Sequence, residues 1–393
     1  MNESVSAWGD NSNGQLGCGN TTGLLVPAVV KGLRNVRKIE AGSGHSVALL
    51  ADGTALAWGR NAFGQLGDGS TTNQLVPVPV KQLTEITDVI PGGGQTLFLR
   101  ADGTVWGCGA GFFGLLGETN LGIKPVPVKV QGLEGVVSLV SGGGHALAVR
   151  TDGSVWSWGR DDYGQLGDGP DPTAPGRSQL EHAGRGYWTR PRPAPINGLG
   201  DVRALAAGGG HSVAVLPDGT MLSWGDNDRG QLGDGTTNHR PSPGPVNGLT
   251  GVVAAACAYH HTLALREDGT VWAFGINDRG QLGDGATEHR YTPAPVKGLR
   301  DVRAVSAAGG GGEVNPGGYG HSLALLRDGT VWAWGCNDHG QLGLGVAAPA
   351  QLTPTPVPGL REIGQITTGG EVPISRENPG GGFSLALLQS AVS

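Results

Sequence analysis

An all-β chain folded as a seven-bladed β-propeller of four-stranded antiparallel blades is what this sequence predicts, and three observations carry it. A motif recurs in register along almost the whole chain, each copy holds short alternating segments joined by Asp-Gly, and the two termini carry complementary halves of one copy. "AWGDNSNGQLG" at Ala7 returns as "AWGRNAFGQLG" at Ala57, "SWGRDDYGQLG" at Ser157, "SWGDNDRGQLG" at Ser223, "AFGINDRGQLG" at Ala273 and "AWGCNDHGQLG" at Ala333, with a weaker copy, "GCGAGFFGLLG", at Gly107. The aligned residues Trp8, Trp58, Cys108, Trp158, Trp224, Phe274 and Trp334 are spaced by 50, 50, 50, 66, 50 and 60 residues, so the period is fifty with two insertions.

Within a copy, "HSVALL" and "TALAWG" alternate as half-buried strands do. The Asp-Gly between them suits a two-residue hairpin turn with positive φ at both central residues, which places turns at Asp52, Asp102, Asp152, Asp218, Asp268 and Asp328. A downstream stretch resembling "PVPVKGL" completes four strands, and such a sheet repeated around a ring leaves only short edges exposed. The N-terminal "SVSAWGD" is the strand that should follow the C-terminal "GGFSLALLQS", so strands from both ends are expected to close one blade jointly. One propeller domain is expected over residues 1–393, with insertions near 170–190, 309–319 and 369–382.

Composition narrows the function. Gly 74 and Pro 25 demand frequent turns, while 38% hydrophobic residues and 10 Trp belong to a chain with a packed interior. A formal charge of −6 argues against nucleic acid as a partner, because backbone binding needs a clustered excess of Lys and Arg. Cys18, Cys108, Cys257 and Cys336 lie far apart without metal-ligand spacing, so free thiols and no metal are expected. No apolar run reaches membrane-spanning length and no signal peptide precedes "SVSAWGD", which points to a cytoplasmic protein with no membrane partner. The glycine runs match neither a Walker loop nor a dinucleotide fingerprint, so no cofactor is expected.

At "GHSLALLRDGTVWAWGCNDHGQLG", residues 320–343, the sequence resembles the regulator of chromosome condensation repeat family, and the resemblance extends over nearly the whole chain. It implies a seven-bladed propeller and leaves the activity open, since that family ranges over an exchange factor for the small GTPase Ran, a plant ultraviolet photoreceptor and a secreted β-lactamase inhibitor. The photoreceptor's Gly-Trp-Arg-His-Thr motif would fall where this chain has Gly-Gly-Gly-His or Ala-Tyr-His-His, without a Trp.

Residues that recur at one position of the repeat belong to the scaffold. Trp8, Trp58, Trp158, Trp224 and Trp334 read as packing between blades, and His45, His145, His211, His261 and His321 as structural hydrogen-bonding groups ahead of a buried strand. Asp68, Asp168, Asp234 and Asp284 in "GQLGDG" read as turn-forming.

Departures from the repeat gather at one end of the ring. Strand alternation brings the Gly-rich turn before each "HSxAL" and the "NxxGQLG" loop to the same end, here the top. The insertion beginning at Pro170 carries His182, Tyr187 and Trp188, and two related Gly-Gly-Glu-Val stretches place Glu313 and Glu371 similarly in successive blades. Tyr259 and His260 replace two glycines in the blade before, Arg229, Arg279 and His339 populate neighbouring loops, and Phe112, Phe113 and Leu115 stand where other copies have polar residues. The last three are expected to form an accessible apolar patch. Two functions fit this pattern. One is a cytoplasmic propeller that recognises a protein or a hydrophobic small molecule at its loop-covered top, through Phe112, Phe113, Leu115, His182, Tyr187, Trp188, Arg229, Arg279 and His339. The alternative is a cofactor-independent isomerase or cyclase in which His260, Tyr259, Glu313 or Glu371 moves a proton at the same mouth.

Overall fold

The computed structural model describes residues 5–117, 122–169, 171, 176–182, 185–309, 320–370 and 381–389. Seven sheets surround a central channel. In blade 1 the strands run from the channel outwards as Val36–Ala41, His45–Leu50, Ala55–Gly59 and Gln74–Pro79. Blades 2 to 6 repeat that order from inner strands Ile86–Pro91, Val136–Ser141, Ala204–Ala207, Val252–Cys257 and Val302–Ala308. Blade 7 takes Ile363–Gly370 and Gly382–Leu388 from the end of the chain and Val5–Gly9 and Leu24–Val29 from its start. Val5 lies opposite Leu387 and Gly9 opposite Phe383, the closure expected from the half-repeats. No helix among the described residues is long and apolar enough to cross a membrane.

The recurring polar residues join each blade to the next. Trp58 donates its indole N–H to the Gln15 carbonyl of blade 7 (2.8 Å), and the Ser46 hydroxyl donates to the same oxygen (2.8 Å). His45 in turn meets the Thr96 hydroxyl of blade 2 (3.0 Å), which itself donates to the Gln65 carbonyl (2.7 Å). Because that hydroxyl hydrogen is spent on a carbonyl, the imidazole is the donor to it, through Nε2–H. The same chain runs through His145 and Ser212, His211 and Thr262, His261 and Ser322, and His321 and Ser384. Burial pushes His45, His145, His261 and His321 down to about 3, so these rings stay neutral and structural. Trp58→Phe shrinks a fully buried indole to a phenyl ring and deletes one buried donor, and is expected to lower stability by about 2–4 kcal/mol in urea unfolding.

The Asp-Gly hairpins form, but with a different turn from the one expected. In blade 1 the Gly53 N–H bonds the Leu50 carbonyl (3.1 Å), the Leu50 N–H bonds the Thr54 carbonyl (2.9 Å), and Gly53 alone of the pair is left-handed, at φ 78. This is a type I turn closed by a left-handed glycine, a longer loop than a two-residue turn. Asp52 serves it with its side chain, whose carboxylate accepts the backbone N–H (2.9 Å) and hydroxyl (2.7 Å) of Thr54. On the outer edges, Pro77, Pro125, Pro127, Pro241, Pro293 and Pro354 sit in strands that would otherwise offer a free N–H ladder, which discourages pairing between propellers.

Candidate functional site

The loops at the top are built to one plan, and the candidate site is where that plan changes. In blade 1, Asn61 accepts the Leu66 N–H on Oδ1 (3.0 Å) and donates Nδ2 to the Thr72 carbonyl (3.0 Å), while Gln65 Oε1 accepts the Phe63 N–H (2.9 Å). Blade 2 has Gly111 and Leu115 at those two positions, so neither side-chain acceptor exists there, and Phe113 turns into the left-handed region at φ 64. Leu115 is consequently a core residue, 1% exposed and packed with Leu116, Ala146 and Trp158 between blades 2 and 3. The expected accessible patch therefore loses Leu115, which fills the space of the glutamine it replaces, while Phe112 and Phe113 remain half-buried at the surface.

Blade 3 changes the plan by insertion. Strand Ser178–His182 pairs with the long strand Arg185–Gly200 and widens the sheet to five strands. Asp161 stands where five of the other loops have Asn, and Arg177 from the insertion supplies the missing donor, 2.6 Å from Asp161 Oδ2. Arg177 and Arg190 both pair with Asp168. Burial pushes the Asp161 carboxyl up to about 6 against the pull of Arg177, which leaves it ionised at neutral pH. The Trp188 N–H donates to Asp162 (2.7 Å) and the Trp188 carbonyl accepts the Asp161 N–H (2.8 Å), so the hairpin is fixed by its backbone to the loop it covers.

These changes line up aromatic side chains. Phe63 meets Phe112 edge-on at 5.4 Å, with Arg60 above Phe63 at 5.4 Å. Phe113 meets Tyr187 of the insertion at 5.2 Å. The Arg160 guanidinium, paired with Asp162, lies 4.8 Å from the Tyr187 ring and 5.5 Å from those of Phe113 and Tyr163. Tyr163 continues to His239 at 5.0 Å. Sequence reasoning singled out Phe112, Phe113 and Tyr187 but missed Phe63, Tyr163 and Arg160. The signal was present: the third residue of successive loops reads Phe63, Phe113 and Tyr163 in blades 1 to 3, then Arg229, Arg279 and His339 in blades 4 to 6.

The second half of the top is balanced in charge. Arg279 lies 3.9 Å from Asp338, and Arg229 and His339 donate their backbone N–H groups to Gln231 and Gln341 (2.8 and 2.9 Å). Tyr259 lines the mouth of the channel, its ring so close over Gly209 that a Cβ there would come within 2.6 Å. His260 touches Tyr259 at 4.7 Å but reaches away from the mouth, with Nδ1 3.3 Å from Gln231 Nε2 and 3.6 Å from Asp226 Oδ2. Burial alone would push the Asp226 carboxyl up, but hydrogen bonding and charge at His260 and the Asp228 N–H outweigh it and hold it below the usual carboxylate range. Glu313 and Glu371 lie outside the described residues, as does the side chain of His182. Of the four groups read as acid–base candidates, only Tyr259 lines the mouth among the described residues.

Asp226, Asp228 and His239 bring possible metal-ligand atoms within 4.8 Å of one another. His239, however, uses Nδ1 to accept the Asn227 N–H (3.1 Å), as His289 does for Asn277 (3.2 Å) and Asn73 Oδ1 for Asn61 (2.8 Å). Its place is explained by the loop scaffold.

Comparison with known proteins places this geometry in a family. The model of the RCC1-like domain matches residues 5–375. Among curated relatives, the probable E3 ubiquitin-protein ligase HERC6 of Homo sapiens is 43% identical over 70 residues, which is 18% of this chain and 6% of that protein. Yeast RCC1 (Prp20), solved bound to Kap60, superposes with a TM-score of 0.80 at 20% identity over 99% of this chain and 89% of that one. Human WBSCR16 superposes at 0.79 with 22% identity over the whole of both chains. At those identities the superpositions speak for the fold, and the match to HERC6 spans only a small part of that relative. The family model covers nearly all of the chain and accounts for its repeats, and this chain belongs to the RCC1-like domain family.

Proposed function

We propose that this propeller is a protein-binding module that takes its partner on the aromatic strip at the top of blades 1 to 3. The observation that carries the proposal is the convergence of Phe113, Tyr163 and Tyr187 on Arg160, three half-buried rings and a guanidinium, with Phe112 and Phe63 continuing the strip. Aromatic and arginine side chains held rigidly in this way are the composition of interface centres, since they bring large contact area with little conformational entropy to lose. Trp188, Arg229, Arg279 and His339 fall in this reading on the polar rim. A protein partner fits better than a hydrophobic small molecule. The mouth bounded by the described residues holds about 110 Å³, whereas pockets for drug-sized ligands usually span roughly 300–1,000 Å³. Yeast RCC1, which shares this fold, has been solved bound to another protein, Kap60. The four cysteines are free thiols, in keeping with the reducing cytoplasm in which we place the protein.

The test is photocrosslinking from a benzoylphenylalanine at position 112, with quantitative mass spectrometry of what is captured. The double variant Phe113→Ser with Tyr187→Ser is expected to lower the principal crosslinked species at least tenfold while its circular dichroism stays that of a propeller. An unchanged crosslink pattern in a folded double variant would overturn the reading.

A further inference from the structure

The end opposite the aromatic strip carries an uneven charge that the function proposed above does not use. Inner strands surround the channel, so the residues at their starts ring its lower opening. In three consecutive blades that ring is arginine: Arg300 and Arg303 in blade 6, Arg361 in blade 7, Arg34 and Arg37 in blade 1. All five are exposed. The corresponding places hold Thr84 and Thr87 in blade 2, Glu134 and Val137 in blade 3, and Thr250 and Val253 in blade 5; blade 4 has Arg203 alone. Arg303 donates to the Ile363 carbonyl of blade 7 at 2.5 Å, which shows how closely the blade 6 and blade 7 parts of the ring approach.

Pairing separates this sector from the rest of the same end. Arg100 binds Glu85 and Asp102, Arg150 lies 3.5 Å from Asp152, and Arg266 2.9 Å from Asp268. Among the described residues, Arg34, Arg37, Arg300, Arg303 and Arg361 make no ion pair. Asp301 and Glu362 are the acidic residues interleaved with them. The sector is therefore positive on a chain whose formal charge is −6. Unpaired guanidinium groups at an exposed rim repel one another, and the arrangement is relieved when carboxylates bridge them in bidentate pairs.

We infer that this arginine sector is a second docking surface, for an acidic protein segment rich in Asp and Glu. A short peptide is favoured over an extended polyanion by what borders the sector. Hairpin tips with exposed Asp52 and Asp328 flank it, and the remaining chain is net negative, so a duplex running past three blades would meet repulsion on both sides. A segment of about ten residues that stays over the inner strands of blades 6, 7 and 1 meets the five arginines against only Asp301 and Glu362.

The probe is a fluorescein-labelled dodecapeptide of alternating Glu and Ser, titrated with the full chain and read by anisotropy in 50 mM salt. Binding is expected, weakened at least tenfold by 300 mM salt and at least tenfold by Arg37→Glu with Arg303→Glu, since both act on charge at an exposed rim. The milder pair Arg34→Gln with Arg361→Gln should weaken it in the same direction. Tyr187→Ser should leave it unchanged, which keeps this surface distinct from the aromatic one. Three results would overturn the inference: no binding of the peptide, equal binding by the charge-reversed variant, or tighter binding of duplex DNA or phosphatidylserine vesicles that depends on Arg37 and Arg303.

Discussion

Deletion of residues 383–393 is expected to abolish cooperative folding of the whole ring. The strand Gly382–Leu388 is an interior member of blade 7, flanked by Ile363–Gly370 and Val5–Gly9. Phe383 and Leu385 are fully buried and Leu387 is 7% exposed, and all three pack in one cluster with Val5, Ile39 and Trp58 of blades 7 and 1. Removing one such side chain from a core costs about 2–5 kcal/mol. Three together are comparable to the roughly 5–15 kcal/mol that stabilises a typical domain. The deletion also removes Ser384, the hydroxyl that joins His321 of blade 6 (3.0 Å) to the Gln341 carbonyl (2.9 Å), and strips Val5–Gly9 of one of its two neighbours. Thermal melting followed by circular dichroism should show no sigmoidal transition. A truncated protein that melts like the intact one would mean that the first strand finds another partner, and the ring would not be closed in the way its termini indicate.

The sequence made the ring legible because its scaffold is repeated. Trp58, His45 and the Asp52 turn each appear several times, and a residue that recurs at one spacing identifies its structural place before any contact is known. The termini were legible for the same reason, as two halves of a known unit. What could not be read were consequences of one residue on another across blades. Leu115 looked like an exposed apolar replacement, and only the geometry shows that the glutamine position it occupies points into the core. Asp161 was not singled out, yet its departure from Asn answers Arg177 in an insertion sixteen positions on. His260 looked like a mouth residue, yet an imidazole beside Asp226 and Gln231 is drawn to them. The hairpin type was missed because Asp-Gly serves both a two-residue turn and a type I turn with a following left-handed glycine, and the dipeptide alone does not distinguish them.

Gly114→Ala is expected to damage the top face where blade 2 meets the hairpin of blade 3. Gly114 has φ 76, a conformation that costs an L-residue roughly 1–2 kcal/mol. A Cβ at this position would also overlap the Cα and Cβ of Pro191, in the strand Arg185–Gly200 that carries Tyr187 and Trp188. Pro191 is backbone-fixed and cannot turn aside as a long side chain would, so the loop and the hairpin must separate. Phe113 precedes Gly114 directly, and the separation should open its 5.2 Å contact with Tyr187 and leave Arg160 without that ring. The control is Gly132→Ala. Gly132 has an equivalent φ of 78 but nothing within 4 Å of its added Cβ, so it isolates the dihedral penalty from the clash. Urea unfolding should show Gly132→Ala less stable by about 1–2 kcal/mol, and Gly114→Ala less stable by about 1–3 kcal/mol more. Crosslinking from position 112 should survive the first change and fall at least tenfold with the second. Equal stability losses and an intact crosslink in both variants would show that the hairpin does not rest on blade 2, and the aromatic strip would then lose the support on which its role in partner binding depends.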